Sequence, residues 1–235
     1  MGFRDYGHYI DKPVVSGPGT MLIPKGMSLH DTYVLRGEDT LPFTQIILEE
    51  GSFADICFFV MPGTSLDAPI TVQLVGEGAH IELSAIYLSG SEEKVKITTE
   101  FYHRAPNCSS NQLINGIAGG KSDFKFFGKI IVVPDAQKTE AYQLNRNILL
   151  TRDAHVNTKP QLEIYADDVI CNHGATVGSL NEDEQFYMRS RGIPEKEAKV
   201  LQSISFMAPV LAHVADEKER EAIQTELEEG IRNII

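Results

Sequence analysis

The stretch whose reading decides the fold is Tyr142-Gln-Leu-Asn-Arg-Asn-Ile-Leu-Leu-Thr-Arg-Asp-Ala-His-Val-Asn-Thr-Lys-Pro-Gln-Leu-Glu-Ile-Tyr-Ala-Asp-Asp-Val-Ile-Cys-Asn-His-Gly-Ala-Thr-Val-Gly178, followed by Ser179-Leu-Asn-Glu-Asp-Glu-Gln-Phe-Tyr-Met-Arg-Ser-Arg-Gly192. Short strand-like runs, 148–150, 162–165 and 169–171, are separated by Asp-Ala, Lys-Pro and Asp-Asp punctuation. After Gly178 the pattern turns helical. Asn181 can cap a helix, Glu184 completes a capping box, and Gly192 supplies a stop. The last polar cluster before this switch is Cys171-Asn172-His173-Gly174.

Working outward, residues 29–178 read as strand after strand: 45–48, 56–60, 70–75, 81–88, 95–102 and 129–133 are apolar runs bounded by Gly, Asp, Asn or Pro. No sustained 3.6-residue period interrupts them, which argues against βαβ units. Asp135, Asp153 and Asp168 each precede a new run, at steps of 18 and 15 residues. That quasi-period suggests one coil of a β-solenoid per step, and an antiparallel sandwich fits the pattern equally well. Residues 1–28, punctuated by Gly and Pro, read as an extended lead-in.

Residues 179–235 read as a small helical domain. Its first helix runs over 181–191. Its second has Pro194 in the first turn and Ala198, Leu201 and Ile204 on one face, and Pro209 breaks or restarts it. Its third is capped by Asp216, with Ile223, Leu227, Ile231 and Ile234 as an apolar stripe. The expected place for this bundle is the end of the solenoid, covering its open edge.

Composition narrows the function. A net charge of −12 over 235 residues disfavours a nucleic-acid groove. No apolar run is long enough for a membrane span, and the first residues lack a signal-peptide core. Three widely spaced cysteines suit neither a disulfide framework nor a C-x-x-C zinc site, and fit a reducing cytoplasm.

Three segments carry a family resemblance: Lys159-Pro-Gln-Leu-Glu-Ile-Tyr-Ala-Asp-Asp-Val169, Cys171-Asn-His-Gly-Ala-Thr-Val-Gly178 and Phe186-Tyr-Met-Arg-Ser-Arg-Gly192. The chain resembles the SufB/SufD family, the paired scaffold proteins of Suf iron–sulfur cluster assembly, and is closer to SufD. The likeness extends upstream through 127–130 and 136–141. It implies a right-handed parallel β-helix with a small C-terminal α-helical domain. Family members usually carry a long N-terminal helical region, which this sequence is expected to lack.

The chemistry concentrates at His173 and Cys171. Two apart on a strand, their side chains face the same way, as a soft-metal or iron–sulfur ligand pair would. The structural reading of the same residues is a small buried thiol and a surface histidine. The resemblance implies that His173 is functionally important and lies near the contact between paired scaffolds. Glu163 is a further candidate, on a neighbouring coil. Asp167 and Asp168 are adjacent, so they face apart and read as a turn, not a carboxylate dyad. His103 and Cys108 suit no metal motif and read as structural. SufB-type members carry a functional cysteine where this chain has Asn145, so the resemblance implies no sulfur-accepting role here.

Gly116-Ile-Ala-Gly-Gly-Lys-Ser122 ends like a P-loop, but Asn115 stands where the first glycine is needed and no helix pattern follows, so no ATP site is expected. The implied function is a non-catalytic scaffold holding a transient iron–sulfur cluster. It would pair with a SufB-like chain or itself through Leu162 and Ile164, and bind the SufC ATPase through the helical segment 186–208, with Phe186, Tyr187, Arg189 and Arg191 as contact residues. Flavin, associated with the Suf complex, is neither required nor excluded by the sequence. The alternatives are a β-helix enzyme acting on carbohydrate and an interaction module without cluster chemistry.

Overall fold

The computed structural model describes residues 17–235. Of the lead-in expected over 1–28, residues 1–16 lie outside the described residues, and the first strand already begins at Thr20. The chain winds as a β-solenoid, alternating between two six-stranded sheets. One holds β1 (Thr20–Ile23), β3 (Gln45–Leu48), β5 (Leu66–Leu74), β7 (Lys94–His103), β9 (Asp123–Val132) and β11 (His155–Ile164). The other holds β2 (Ser28–Leu35), β4 (Phe53–Val60), β6 (His80–Ser89), β8 (Ser109–Ala118), β10 (Glu140–Leu149) and β12 (Ile170–Gly178). All neighbouring strands pair in parallel. The antiparallel sandwich is thereby excluded.

The register corrects the period. Thr20 lies beside Gln45 and Asp123 beside His155, so a coil takes from 25 (20 to 45) to 32 (123 to 155) residues. The steps of 18 and 15 residues between the Asp turns are half-coils, from a strand in one sheet to the next strand in the other. The turns themselves are as expected. The Asp168 carbonyl accepts from the Lys138 amide at 2.6 Å, and the Asp168 amide donates to Gln137 Oε1 at 2.9 Å.

Alternate side chains from both sheets fill the interior. Ile56, Phe58, Ile70, Leu74, Ile81, Phe101 and Phe126 are among them, and none is more than marginally exposed. Each such burial contributes about 1.5–3 kcal/mol. Tyr87 stacks on Phe124 with ring centroids 3.7 Å apart, and its hydroxyl donates to Asn147 Oδ1 at 2.9 Å. It lies across Gly116, where a Cβ would stand 1.6 Å from the ring, so only glycine fits. His103 and Cys108 are interior packing groups, as expected. The His103 ring shares a 2.9 Å hydrogen bond with Ser110 Oγ, and the Cys108 thiol donates to the Gly76 carbonyl at 3.2 Å. Residues 116–122 leave β8 by a tight turn into β9, not into a helix.

Three helices follow: α1 (Glu182–Ser190), α2 (Glu195–Leu211) and α3 (Glu217–Ile234). Asn181 caps α1 by accepting from the amides of Asp183 and Glu184, and Asp216 caps α3 by accepting from Glu219. Pro194 is the N-cap of α2, one position before its first turn. Pro209 does not end α2. It sits in the last turn, and the ladder closes beyond it with the Ala212 amide on the Ala208 carbonyl at 3.0 Å.

The bundle's position differs from expectation. A second apolar cluster joins outward-facing Phe59, Ile86, Leu88 and Ile117 to Val200, Met207, Val210, Ile223, Leu227 and Ile231. The helices therefore cover the flank of the second sheet, over β6 and β8, and leave the end of the stack open. The buried face of α2 is Val200, Ser203, Met207 and Val210, so Leu201 points away from the core. Polar contacts pin the bundle: Arg36 makes a two-pronged contact with Glu226 at 2.8 and 2.5 Å, and His213 meets Asp55 at 2.9 Å.

Candidate functional site

The site candidates fall on the last coil. Among the described residues β11 and β12 are the terminal strands of their sheets, each with one unpaired edge. In a parallel ladder alternate residues bond to opposite sides. His155 and Tyr165 donate inward to the β9 side, so the even-numbered amides of β11 face the free edge. Pro160 falls on that phase, so its missing N–H costs the ladder nothing. In β12 the Ile170 amide bonds the Thr139 carbonyl, which turns the amides of Cys171 and His173 to the free edge.

Side-chain direction follows from register. Cys171 lies beside Ala141 and His173 beside Gln143, both of which face the interior. Cys171 and His173 therefore share one face, as their spacing predicts. With no further coil above them among the described residues, the Cys171 side chain is half-buried and His173 is exposed. Burial pushes the Cys171 thiol above its ordinary range, partly countered by the Ala141 backbone, so the free protein holds it as the thiol. Leu162 is half-buried on the same inward face of β11, and Ile164 is 41% exposed.

Glu163 departs from expectation. Its neighbour in register is Ile131, on the outer face of the first sheet, where its carboxylate meets Lys129 at 2.5 Å. It does not share a face with Cys171 and His173. Among the described residues no group of three His, Cys, Asp or Glu is gathered as a metal cage. Asn145 is buried, donating to the Ile114 carbonyl at 3.1 Å and accepting from Asn147 at 2.7 Å.

Beneath His173 the interior is polar. Gln112 and Gln143 are buried in successive coils, joined by a 3.3 Å hydrogen bond from Gln143 to Gln112. Gln143 Oε1, Gln112 Nε2 and Thr158 Oγ1 are buried without a hydrogen-bond partner. Sequence patterning missed Gln143, because β10 reads polar on both phases.

A second surface lies on the flank. α1 buries no residue, and with α2 and β10 it forms an open groove of about 770 Å³. Arg146, Ile148, Leu180, Tyr187, Leu201 and Phe206 line it. The Arg146 guanidinium stands 5.2 Å over the Phe206 ring, and Arg191 stands 5.5 Å over Tyr187. Phe186, Tyr187 and Leu201 are 73%, 60% and 49% exposed. Arg189 lies 4.0 Å from Glu195. Leu201 and Phe206 fall within the 186–208 segment expected to dock the ATPase, though the contact residues named for it did not include them. A hydrophobic phase shared with the buried face hid the first.

Residues 40–206 match the family described as SUF system FeS cluster assembly, SufBD core domain. The chain belongs to the SufBD family. It is 36% identical to the iron–sulfur cluster assembly protein SufD of Escherichia coli over 172 residues, 73% of this chain and 41% of that protein. A SufBD family protein of Synechocystis is 43% identical over 109 residues, 46% of this chain and 24% of that one. The chloroplastic protein ABCI7 of Arabidopsis thaliana is 36% identical over 143 residues, 60% of this chain and 30% of that one. The chain thus spans less than half the length of these relatives. No helix among the described residues is long and apolar enough to cross a membrane.

Proposed function

We propose that the chain serves as a non-catalytic scaffold in iron–sulfur cluster assembly, and that its last coil is where a nascent cluster is held. One observation carries this reading: the inward row of Cys171 and His173 ends at a coil that no other described residue covers and whose strand edges are unpaired among the described residues. A second chain adding strands there would satisfy the free amides and bring further ligands to the pair. That chain is a SufB-like scaffold or a second copy of this one. A thiolate and a neutral imidazole are soft and borderline donors suited to an iron–sulfur cargo. On this reading the cluster is transient. With two ligands from this chain, the others come from sulfide and the partner.

The groove between α1, α2 and β10 is the proposed seat of a SufC-like ATPase. Its exposed Tyr187 and Leu201 would supply apolar anchors, with Arg146 in the lining, Arg191 over the Tyr187 ring and Phe186 exposed on α1 outside the lining.

The test is anaerobic reconstitution with iron and sulfide of the protein as co-purified with its partners. Visible absorption that develops with the native protein and falls several-fold in His173→Ala supports the reading. Equal absorption in both, with the complex intact, removes His173 from the site. The ATPase proposal is read from the same preparation, and absence of an ATPase from the native complex counts against it.

A further inference from the structure

The inward row that ends at His173 runs Leu83, Gln112, Gln143, His173 across β6, β8, β10 and β12. It changes from apolar to polar as it approaches the open end. Gln143 is 2% exposed. Its amide nitrogen donates to Gln112 Oε1 at 3.3 Å, and that oxygen also accepts the Thr99 hydroxyl at 2.8 Å from the opposite sheet. Across the interior, Gly128 makes room for this amide. A Cβ there would stand 2.3 Å from Gln143 Nε2 and 2.7 Å from its Cδ. The side chain is thus held in a notch by its nitrogen end.

The other end is uncommitted. Gln143 Oε1 is buried and has no hydrogen-bond partner among the described residues. Buried carbonyl oxygens are normally paired, so a lone one marks a place where a donor belongs. The next side chain outward in the same row is His173, one strand spacing away, about 4.8 Å. No interior group substitutes: Asn145 is already engaged with Ile114 and Asn147, and the unpaired donors Gln112 Nε2 and Thr158 Oγ1 make no hydrogen bond to Gln143 Oε1.

We propose that Gln143 is a positioning residue for His173, its Oε1 accepting the N–H of one imidazole nitrogen. That contact fixes one tautomer and turns the lone pair of the other nitrogen toward the open end. An imidazole that holds a metal does so through a neutral ring nitrogen, and its second nitrogen is usually held by a carbonyl or carboxylate. Thr99, Gln112 and Gln143 would form the support behind the ligand, reaching it from two coils below. This deepens the reading of His173 as a cluster ligand and rests on it for its purpose, though the contact itself needs no cluster.

The experiment is nitrogen NMR of the full chain, labelled at the histidine rings and free of metal. The His173 signals are identified by their loss in His173→Ala. One tautomer is expected to exceed the other about tenfold. In Gln143→Met, similar in length but lacking the acceptor, the ratio should fall to that of an unstructured peptide of the same local sequence. A native ratio equal to the peptide's overturns the proposal, as does an unchanged ratio in a folded Gln143→Met. Should that variant not fold, the native ratio alone decides. If no cluster forms but the tautomer bias holds, the contact stands and the ligand reading falls. If a cluster forms through His173 with no bias, the ligand reading stands and the positioning role falls.

Discussion

At the scale of single residues, His103 is the clearest pH-sensitive element. Full burial holds its imidazole at about 3, so it is neutral in the folded protein. In the unfolded chain it titrates at about 6.5. The unfolded state therefore binds the extra proton as pH falls through this window, and the contribution of His103 to stability, complete above about 6.5, is lost toward 3. The slope from this one group reaches about 1.4 kcal/mol per pH unit. Chemical denaturation between pH 6.5 and 5 should show that slope in the native chain and a flatter one in His103→Gln. By contrast His173→Ala, at an exposed position, should leave stability within about 0.5 kcal/mol, measured by thermal melting. The two histidines were separable from the sequence because one sits beside a Pro turn with no ligand spacing and the other stands two residues from Cys171. The burial of Gln143 was not separable. Gln143, Asn145 and Asn147 make most of the inward phase of β10 polar, so alternation, the signal that reveals a strand's buried face, is lost there.

At the scale of elements, the same loss of alternation explains which strands stood out. β4 and β6 carry strongly apolar inward rows, and their runs were evident. β8 and β10 place Ser110, Gln112, Gln143 and Asn145 inward, so they blurred into their turns. Helix ends were legible because a cap is a local event: Asn181 and Asp216 act where they stand. The Asn181 box is only half made, since the Glu184 carboxylate accepts from Gln202 at 2.7 Å. Leu201 and Val200 are both apolar, so pattern does not fix the face of α2; Val200 is the one that joins the buried cluster on the outer face of the second sheet. Two outcomes follow for the helices. Leu227→Ala, fully buried between α3 and the sheet, should cost about 2–5 kcal/mol in a denaturation experiment. Phe186→Ala combined with Leu201→Ala should leave the melting temperature nearly unchanged and weaken ATPase capture at least tenfold. Full capture by the double variant would place the docking surface elsewhere. Deleting the helices is the poorer test, because it would strip Phe59, Leu88 and Ile117 of their cover.

At the scale of the whole molecule, the solenoid has a covered flank and an uncovered end. Resemblance, more than periodicity, led to the parallel coil, because Asp punctuation at half-coil steps is equally compatible with strands that reverse. The open end could not be read from pattern, since it depends on where the helices pack after Gly178. Its consequence for assembly is testable. The Ile164 amide lies on the phase that faces the free edge, so Ile164→Pro removes a donor without breaking the β9–β11 ladder. Sedimentation should show a folded chain whose pairing is weakened at least tenfold. Unchanged pairing would move the seam off β11.

β10 belongs to both surfaces at once. Its outward residues Arg146 and Ile148 line the groove beside α2, and its inward residue Gln143 stands beneath His173. One rigid strand cannot shift on one face and stay still on the other. Where an occupant of the groove displaces β10, the row under the imidazole moves with it. Thermodynamic reciprocity then requires that whatever binds at the open end alter groove affinity by the same factor in return.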